Sequence, residues 1–206
     1  MAYIRIRTVQ SVNTLQFTLV RENMVHDVSA ALAEFTQRFI DNWQRESGDF
    51  PYSEALYGVA SPCVVHTDNE KVYWKPQPAT VSDGLSGISR ALDIQLHEDV
   101  EPFFTSQYAG DMSAVLGDLA LDLVQVWSED DLQRLQENQI GHLVTQRRLK
   151  LSPTLFLATT DSELQLISLC NLTGNVLLEQ FGSKQREVLA ESLSEFLSRL
   201  QPVVIK

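Results

Sequence analysis

The sequence predicts a single α+β domain in which helices flank a mixed, mostly antiparallel sheet. Apolar residues recur every three or four positions between Val28 and Trp43, which is the period of an amphipathic helix. A second helical pattern follows Ser128, and short β-rich runs separated by turn residues lie before and after it. Short strands joined by turns and combined with helices in this way are typical of α+β domains.

The first two elements are a helix and a hairpin. The helix is expected to begin near Asp27 and to end at Ser47-Gly48, where the apolar period stops. The β-rich runs 63–66 and 72–74 are separated by turn residues around Asp68-Asn69, which predicts an antiparallel pair.

The middle of the chain contains the clearest helix signal. A short helix is predicted over 85–92 and a strand over 119–124, with Asp118 and Asp122 on the polar side of the strand. The next helix begins at Ser128, because Ser128 and Asp131 have the spacing of a capping box.

Three more strands and a final helix are predicted in the last third. The runs 154–158, 164–170 and 175–179 are rich in strand-forming residues and are separated by turns. The final helix is expected to follow Gly182. Its predicted inward positions are Val188, Leu189, Leu193, Phe196, Leu197 and Leu200.

Residues 1–24 are expected to form an N-terminal extension, and residues 25–206 the domain. The extension is basic, and the alternation over Tyr3–Arg7 is a weak strand pattern. Met24 ends it, so two interpretations remain open: translation that truly starts at Met24, or a flexible arm.

The charge balance narrows the class of partner. The chain contains 27 acidic and 16 basic residues, a net charge of −11. Such a surface repels nucleic acid and anionic lipid, and it attracts basic partners. The alternative is that the acidity serves solubility alone.

The acidic residues are concentrated in one stretch. Residues 83–137 contain twelve acidic side chains and two basic ones, Arg90 and Arg134. This concentration predicts a surface that attracts a basic partner. The candidate binding residues are Asp111, Asp118, Asp122, Glu129, Asp130, Asp131 and Glu137. The candidate aromatic anchors are Tyr57, Trp74 and Tyr108.

The motifs of common enzyme classes are missing from the sequence. It has no glycine-rich phosphate loop and no GxSxG motif, and its four histidines lack metal-ligand spacing. No catalytic residue, metal or cofactor is therefore predicted. A hydrolase that uses a carboxylate pair remains the third alternative. Cys63 and Cys170 are expected to be free and buried, as in the cytoplasm, and no segment is apolar enough for direct membrane insertion.

Several stretches carry a resemblance to a known family. They are EALYGVASPC (54–63), VYWKPQP (72–78), QYAGDM (107–112), WSEDDLQRLQENQIGHLVTQRRLKLSPTLFLAT (127–159), CNLTGNV (170–176) and the final helix. From about residue 25 onward the chain resembles the Syd family of SecY-interacting proteins, which is related to the SUKH superfamily. Ala60 stands where the family pattern has proline.

The resemblance implies a binding function. Syd-like proteins bind the cytoplasmic loops of SecY, the channel subunit of the protein-export translocase, and act as a regulator or quality check of SecY. The loops are basic, and the family binds them through a concave acidic surface. The implied location is the cytoplasm, peripherally at the inner membrane through SecY. The second alternative, implied by the SUKH relationship, is an immunity-type protein that neutralises a basic toxin.

Overall fold

The structure, a computed structural model, describes the backbone of residues 10–205 and the side chains of residues 28–205. This part of the chain forms five helices and twelve strands. The helices are α1 (Gln10–Ser47), α2 (Ser86–Leu92), α3 (Val100–Thr105), α4 (Glu129–Arg148) and α5 (Leu193–Arg199). The strands are β1 (Tyr52–Ser53), β2 (Val64–Asp68), β3 (Lys71–Trp74), β4 (Gln77–Pro78), β5 (Gln107–Tyr108), β6 (Met112–Leu116), β7 (Leu119–Leu123), β8 (Thr154–Thr160), β9 (Gln165–Cys170), β10 (Val176–Gln180), β11 (Arg186–Ala190) and β12 (Gln201–Pro202).

The strands form three sheets. The largest has seven strands in the order β11-β10-β9-β8-β7-β6-β12. A three-stranded sheet has the order β1-β3-β2, and β4 pairs with β5. Neighbouring strands are antiparallel in every pair of the described chain. The predicted α+β fold class is confirmed.

A line of aromatic side chains connects α1 to the small sheet and to the start of α4. The rings of Phe39 and Trp74 are stacked with their centroids 6.0 Å apart. Trp74 meets Trp127 edge to face at 6.4 Å. All three side chains are buried, so the core fixes the position of β3 relative to α4.

Helix α1 also contacts α5 and β12 at the end of the chain. Its Arg38 donates hydrogen bonds to the carbonyl oxygens of Leu197 and Leu200, at 3.2 and 2.7 Å. These carbonyls lie at the C-terminal end of α5, where they lack partners inside the helix. Among the described helices, none is long and apolar enough to cross a membrane.

Elements with strong local signals are confirmed. The hairpin is β2–β3, and its turn residues Asn69 and Glu70 have positive φ angles of 47° and 62°. Helix α4 begins directly after Ser128, whose hydroxyl accepts a hydrogen bond from the Asp131 backbone N–H.

The start of α1 and the final helix differ from the prediction. Helix α1 begins at Gln10 and not near Asp27, and the strand pattern over 3–7 lies outside the described residues. The final helix was predicted too early: Val188 is 55% exposed in strand β11, and α5 begins after Ser192. The Ser192 hydroxyl accepts a hydrogen bond from the Glu195 backbone N–H, which caps α5 there.

Candidate partner-binding cleft

Strands β6 and β7 present polar side chains on one face. Side chains alternate along a strand, so Asp111 and Ser113 point away from buried Met112. On β7, Asp122 lies opposite Ser113 in the antiparallel register. The Ser113 hydroxyl donates a 2.6 Å hydrogen bond to Asp122 Oδ1, which fixes the direction of this carboxylate.

One face of α4 stands beside this polar face. Asp131, Arg134, Leu135 and Asn138 recur at helical spacing, so they share one side of the helix. The Asp131 Oδ2 atom accepts a 2.8 Å hydrogen bond from the backbone N–H of Trp127, just before the helix. This hydrogen bond at the start of α4 orients the Asp131 carboxylate, which lines the same space as Asp111 and Asp122.

The two faces enclose an open cleft of about 690 Å³, which we call the acidic cleft. The three carboxylates and Arg134 line it on one side. On the other side, aromatic and aliphatic residues of the β1-β3-β2 sheet and of the loop after β1 form a wall. The full lining is Tyr52, Ser53, Ala55, Leu56, Val59, Trp74, Ala109, Gly110, Asp111, Ser113, Asp122, Val124, Gln125, Trp127, Asp131, Arg134, Leu135, Asn138 and Phe156.

Gly110 allows the chain to pass close to the aromatic wall. A Cβ atom at this position would lie 2.8 Å from Cε2 of Trp74, closer than atoms in contact can be. Because Gly110 has no side chain, the backbone before Asp111 lies against the indole ring. Asp111 and Trp74 both line the cleft on either side of this close approach.

The pKa of Asp111 is raised to about 6 from the ordinary 3.8. The largest cause is desolvation, because the carboxyl lies inside the cleft although part of its surface opens to solvent. A hydrogen bond from the Gln125 backbone N–H to Oδ1, at 2.9 Å, acts in the opposite direction. The negative charges of Asp131 and Asp122 raise the pKa of Asp111 further, so both carboxylates are near enough to act on Asp111.

The structure brings together three of the seven acidic residues singled out in the sequence. Asp111, Asp122 and Asp131 line the acidic cleft. The other four do not line it: Asp118, Glu129, Asp130 and Glu137. Asp118 follows Gly117 in the turn between β6 and β7, and Glu129 borders a separate depression next to Arg90 and α2.

Two of the three candidate aromatic anchors are buried. Trp74 is 1% exposed and Tyr108 is 6% exposed, because both pack into the core. Tyr57 is 50% exposed and is the one of the three that presents its ring to solvent. Trp74 still contributes part of the cleft wall, but as a buried support and not as a projecting side chain.

Several residues that line the cleft carry no signal in the sequence that links them to the acidic stretch. Tyr52, Leu56 and Val59 are far from the acidic stretch along the chain, and only the tertiary fold places them opposite it. Ser113 could have been found, because polar and apolar residues alternate over 111–114, but β6 was not predicted.

A second polar cluster lies at the other end of α4. Glu179 accepts a hydrogen bond from the hydroxyl of Thr154 at 2.5 Å. It also forms an ion pair with Arg186, with 2.9 Å between Nε and Oε2, and lies 3.7 Å from His142 Nε2. Burial lowers the pKa of His142, which favours the neutral ring. The cluster joins α4 to β8, β10 and β11. Within the described residues, no group of three or more histidine, cysteine or acidic side chains could hold a metal ion.

The family model and the similar proteins all indicate the same family. The family model described as Syd protein (SUKH-2) matches residues 29–202. The chain is 64% identical over 180 residues to a protein Syd of Edwardsiella ictaluri, covering 87% of this chain and 97% of the relative. It is 57% identical over 182 residues to a protein Syd of Pectobacterium carotovorum, covering 88% and 100%. A protein Syd of Yersinia pestis is 60% identical over 178 residues, covering 86% and 97%.

Proposed function

Because the chain belongs to the Syd protein family, we propose that it binds the translocase channel subunit SecY and that the acidic cleft is the binding site. The observation that carries the proposal is the convergence of Asp111, Asp122 and Asp131 in one concave space. Concave, low-dielectric walls strengthen the attraction between such a group of carboxylates and a cation. The basic cytoplasmic loops of SecY supply cations of this kind.

The carboxylates are oriented by neutral donor groups of the protein. A neutral N–H or O–H group of the protein donates to one oxygen of each: Gln125 to Asp111, Ser113 to Asp122 and Trp127 to Asp131. These donors hold the side chains toward the cleft before a partner arrives, so less conformational entropy is lost on binding.

The apolar wall has a separate role in the proposal. Tyr52, Leu56 and Val59 are partly buried in the core but face the cleft on their remaining surface. They can contact the methylene groups of lysine and arginine side chains, whose charged ends then reach the carboxylates. Tyr57, the next residue after Leu56 in the chain, is 50% exposed. A loop that is both basic and partly apolar fits such a surface.

The biological role follows from the partner. We place the protein at the cytoplasmic side of the inner membrane, held there peripherally through SecY, where it acts as a regulator or quality check of SecY. The proposed role is binding alone and includes no chemical step.

Binding to purified SecY complex in detergent tests the proposal. The wild-type chain should bind, and the affinity should fall steeply as the salt concentration is raised, because attraction between exposed charges is screened. A peptide with the sequence of a basic SecY cytoplasmic loop should compete. Absence of binding at low salt, or an affinity that does not respond to salt, would contradict the proposal.

A second candidate is favoured by the SUKH-2 description of the matching family. In that case the same cleft would neutralise a basic toxin. Expression of this chain together with a basic toxin encoded beside its gene would then restore growth, whereas SecY would not be bound.

A further inference from the structure

Arg134 is a cation that lines a cleft which attracts cations. Among the described residues that line the acidic cleft, it alone has a positively charged side chain. Its Nη2 atom lies 3.2 Å from Oδ1 of Asp131, three residues earlier on α4. The cleft therefore already contains one guanidinium group bound to one of its carboxylates.

We propose that Arg134 occupies the position at Asp131 that an arginine or lysine side chain of the partner takes on binding. Arg134 is then an internal competitor, and it lowers the affinity of the acidic cleft for basic segments. This inference rests on the proposed function, because it deepens the description of the same site.

The contact between Arg134 and Asp131 is easily replaced. The Arg134 side chain is 62% exposed, and exposed ion pairs contribute little to stability. Its guanidinium group can turn into solvent without leaving a buried charge unpaired. An incoming cation can then bind Oδ1 of Asp131, which Arg134 has left.

Displacement of Arg134 leaves the rest of the site in place. The Oδ2 atom of Asp131 stays bound to the backbone N–H of Trp127, which holds the carboxylate in position. The Ser128 hydroxyl still caps α4 through the Asp131 N–H. The helix terminus therefore does not depend on Arg134, and the exchange of one cation for another needs no movement of the backbone.

Asp131 lies in the same cleft as the other two carboxylates. The charges of Asp131 and Asp122 both act on Asp111, so the three groups share one local field. A partner cation at Asp131 therefore also lies in the field of Asp111, and removal of the Arg134 charge makes the cleft more negative. The planar guanidinium group of Arg134 shows that an arginine fits there.

The test compares two charge-neutralising variants on the same helix, Arg134→Gln and Arg148→Gln. Arg148 is exposed in the last turn of α4 and does not line the acidic cleft, so its variant controls for the change in net charge. The measurement is affinity for purified SecY complex at low and at high salt. At low salt we expect about threefold tighter binding for Arg134→Gln, and a smaller gain for Arg148→Gln. The difference should shrink at high salt.

The outcomes separate this inference from the proposed function. Weaker binding by Arg134→Gln, or a gain equal to that of Arg148→Gln, overturns the role of Arg134 alone. If the wild type does not bind SecY, the proposed function fails and the inference fails with it. Melting temperatures of both variants close to that of the wild type show that the comparison concerns folded protein.

Discussion

At the scale of single residues, the Asp111 carboxylate, which we propose takes part in binding, destabilises the folded state when it is charged. Desolvation in the cleft raises its pKa to about 6, although a backbone N–H donates to it. A carboxyl whose pKa is raised by folding binds protons more strongly in the folded state than in the unfolded state. Its contribution to stability is therefore favourable at low pH and is lost as the pH rises through about 6.

The variant Asp111→Asn should remove this pH dependence. The amide oxygen can still accept the hydrogen bond from Gln125 N–H, but it carries no charge. We expect Asp111→Asn to be more stable than the wild type at pH 8, by less than about 1 kcal/mol because the side chain is partly exposed. At pH 3.5 the advantage should vanish. Thermal unfolding at both pH values measures it, and an equal difference at the two would contradict the assigned cause.

Gly110 has no side chain, so its backbone can lie against the indole ring of Trp74. The variant Gly110→Ala would force a Cβ atom against the indole ring of Trp74, and overpacking of this kind costs about 1–3 kcal/mol. Gly141→Ala on α4 is the matched control. Nothing lies within 4 Å of a Cβ there, and alanine favours helix by about 1 kcal/mol.

Urea unfolding of the two glycine variants gives the comparison. The free energy of unfolding should fall for Gly110→Ala and rise for Gly141→Ala. A Gly110→Ala variant as stable as the wild type would show that the contact with Trp74 does not constrain the wall of the cleft.

At the scale of secondary-structure elements, α4 is held against the main sheet by buried glutamines. Gln139 Nε2 donates to the carbonyl oxygen of Phe156 at 2.8 Å, and its Oε1 accepts from the Phe156 N–H at 3.2 Å. Two turns later, Gln146 Oε1 accepts from the Thr154 N–H at 2.7 Å. Strand β7 pairs with β8 only from Ala158 onward. Before that point, the two glutamine side chains form hydrogen bonds with the backbone of β8 that a neighbouring strand would otherwise form. They position the helix face that carries Asp131.

Gln139→Leu should destabilise the domain strongly. The change removes the partner of both the N–H and the carbonyl group of Phe156, and each buried group left without a partner costs about 1–3 kcal/mol. We expect a loss of several kcal/mol in the free energy of unfolding. Gln133→Leu, on the exposed side of the same helix, should change it by less than about 0.5 kcal/mol. Equal effects of the two variants would contradict the role of Gln139.

Local signals explain which elements could be predicted from the sequence. Helix α4 and the β2–β3 hairpin carry their own cap and turn residues, so no distant contact is needed to recognise them. The apolar pattern around strand β11 predicts helix, but Ser192 and Glu195 have the spacing of a capping box and mark the start of α5. Strand β6 is stabilised by pairing with β7 and β12, which a local pattern does not reveal.

At the scale of the whole molecule, the fold places the acidic residues of the stretch 83–137 on different surfaces. Twelve acidic residues lie between positions 83 and 137, but only Asp111, Asp122 and Asp131 reach the acidic cleft. The sequence contains the charges, whereas strand alternation and the phase of α4 decide which of them share a surface. The wall residues of the β1-β3-β2 sheet and of the loop after β1 lie at least 37 positions earlier in the chain than Asp111, so linear proximity could not identify them.

The most direct test of the central claim compares two triple variants of equal charge. One neutralises the cleft with Asp111→Asn, Asp122→Asn and Asp131→Asn, which keep an oxygen acceptor for each existing hydrogen bond. The other neutralises three acids outside the cleft, with Asp118→Asn, Asp130→Asn and Glu137→Gln. Affinity for purified SecY complex at low salt should fall about tenfold or more for the cleft variant, since three charge pairs of roughly 0.5–1 kcal/mol are lost. The outer variant should lose less than about threefold, and equal losses would contradict the claim that the acidic cleft is the binding site.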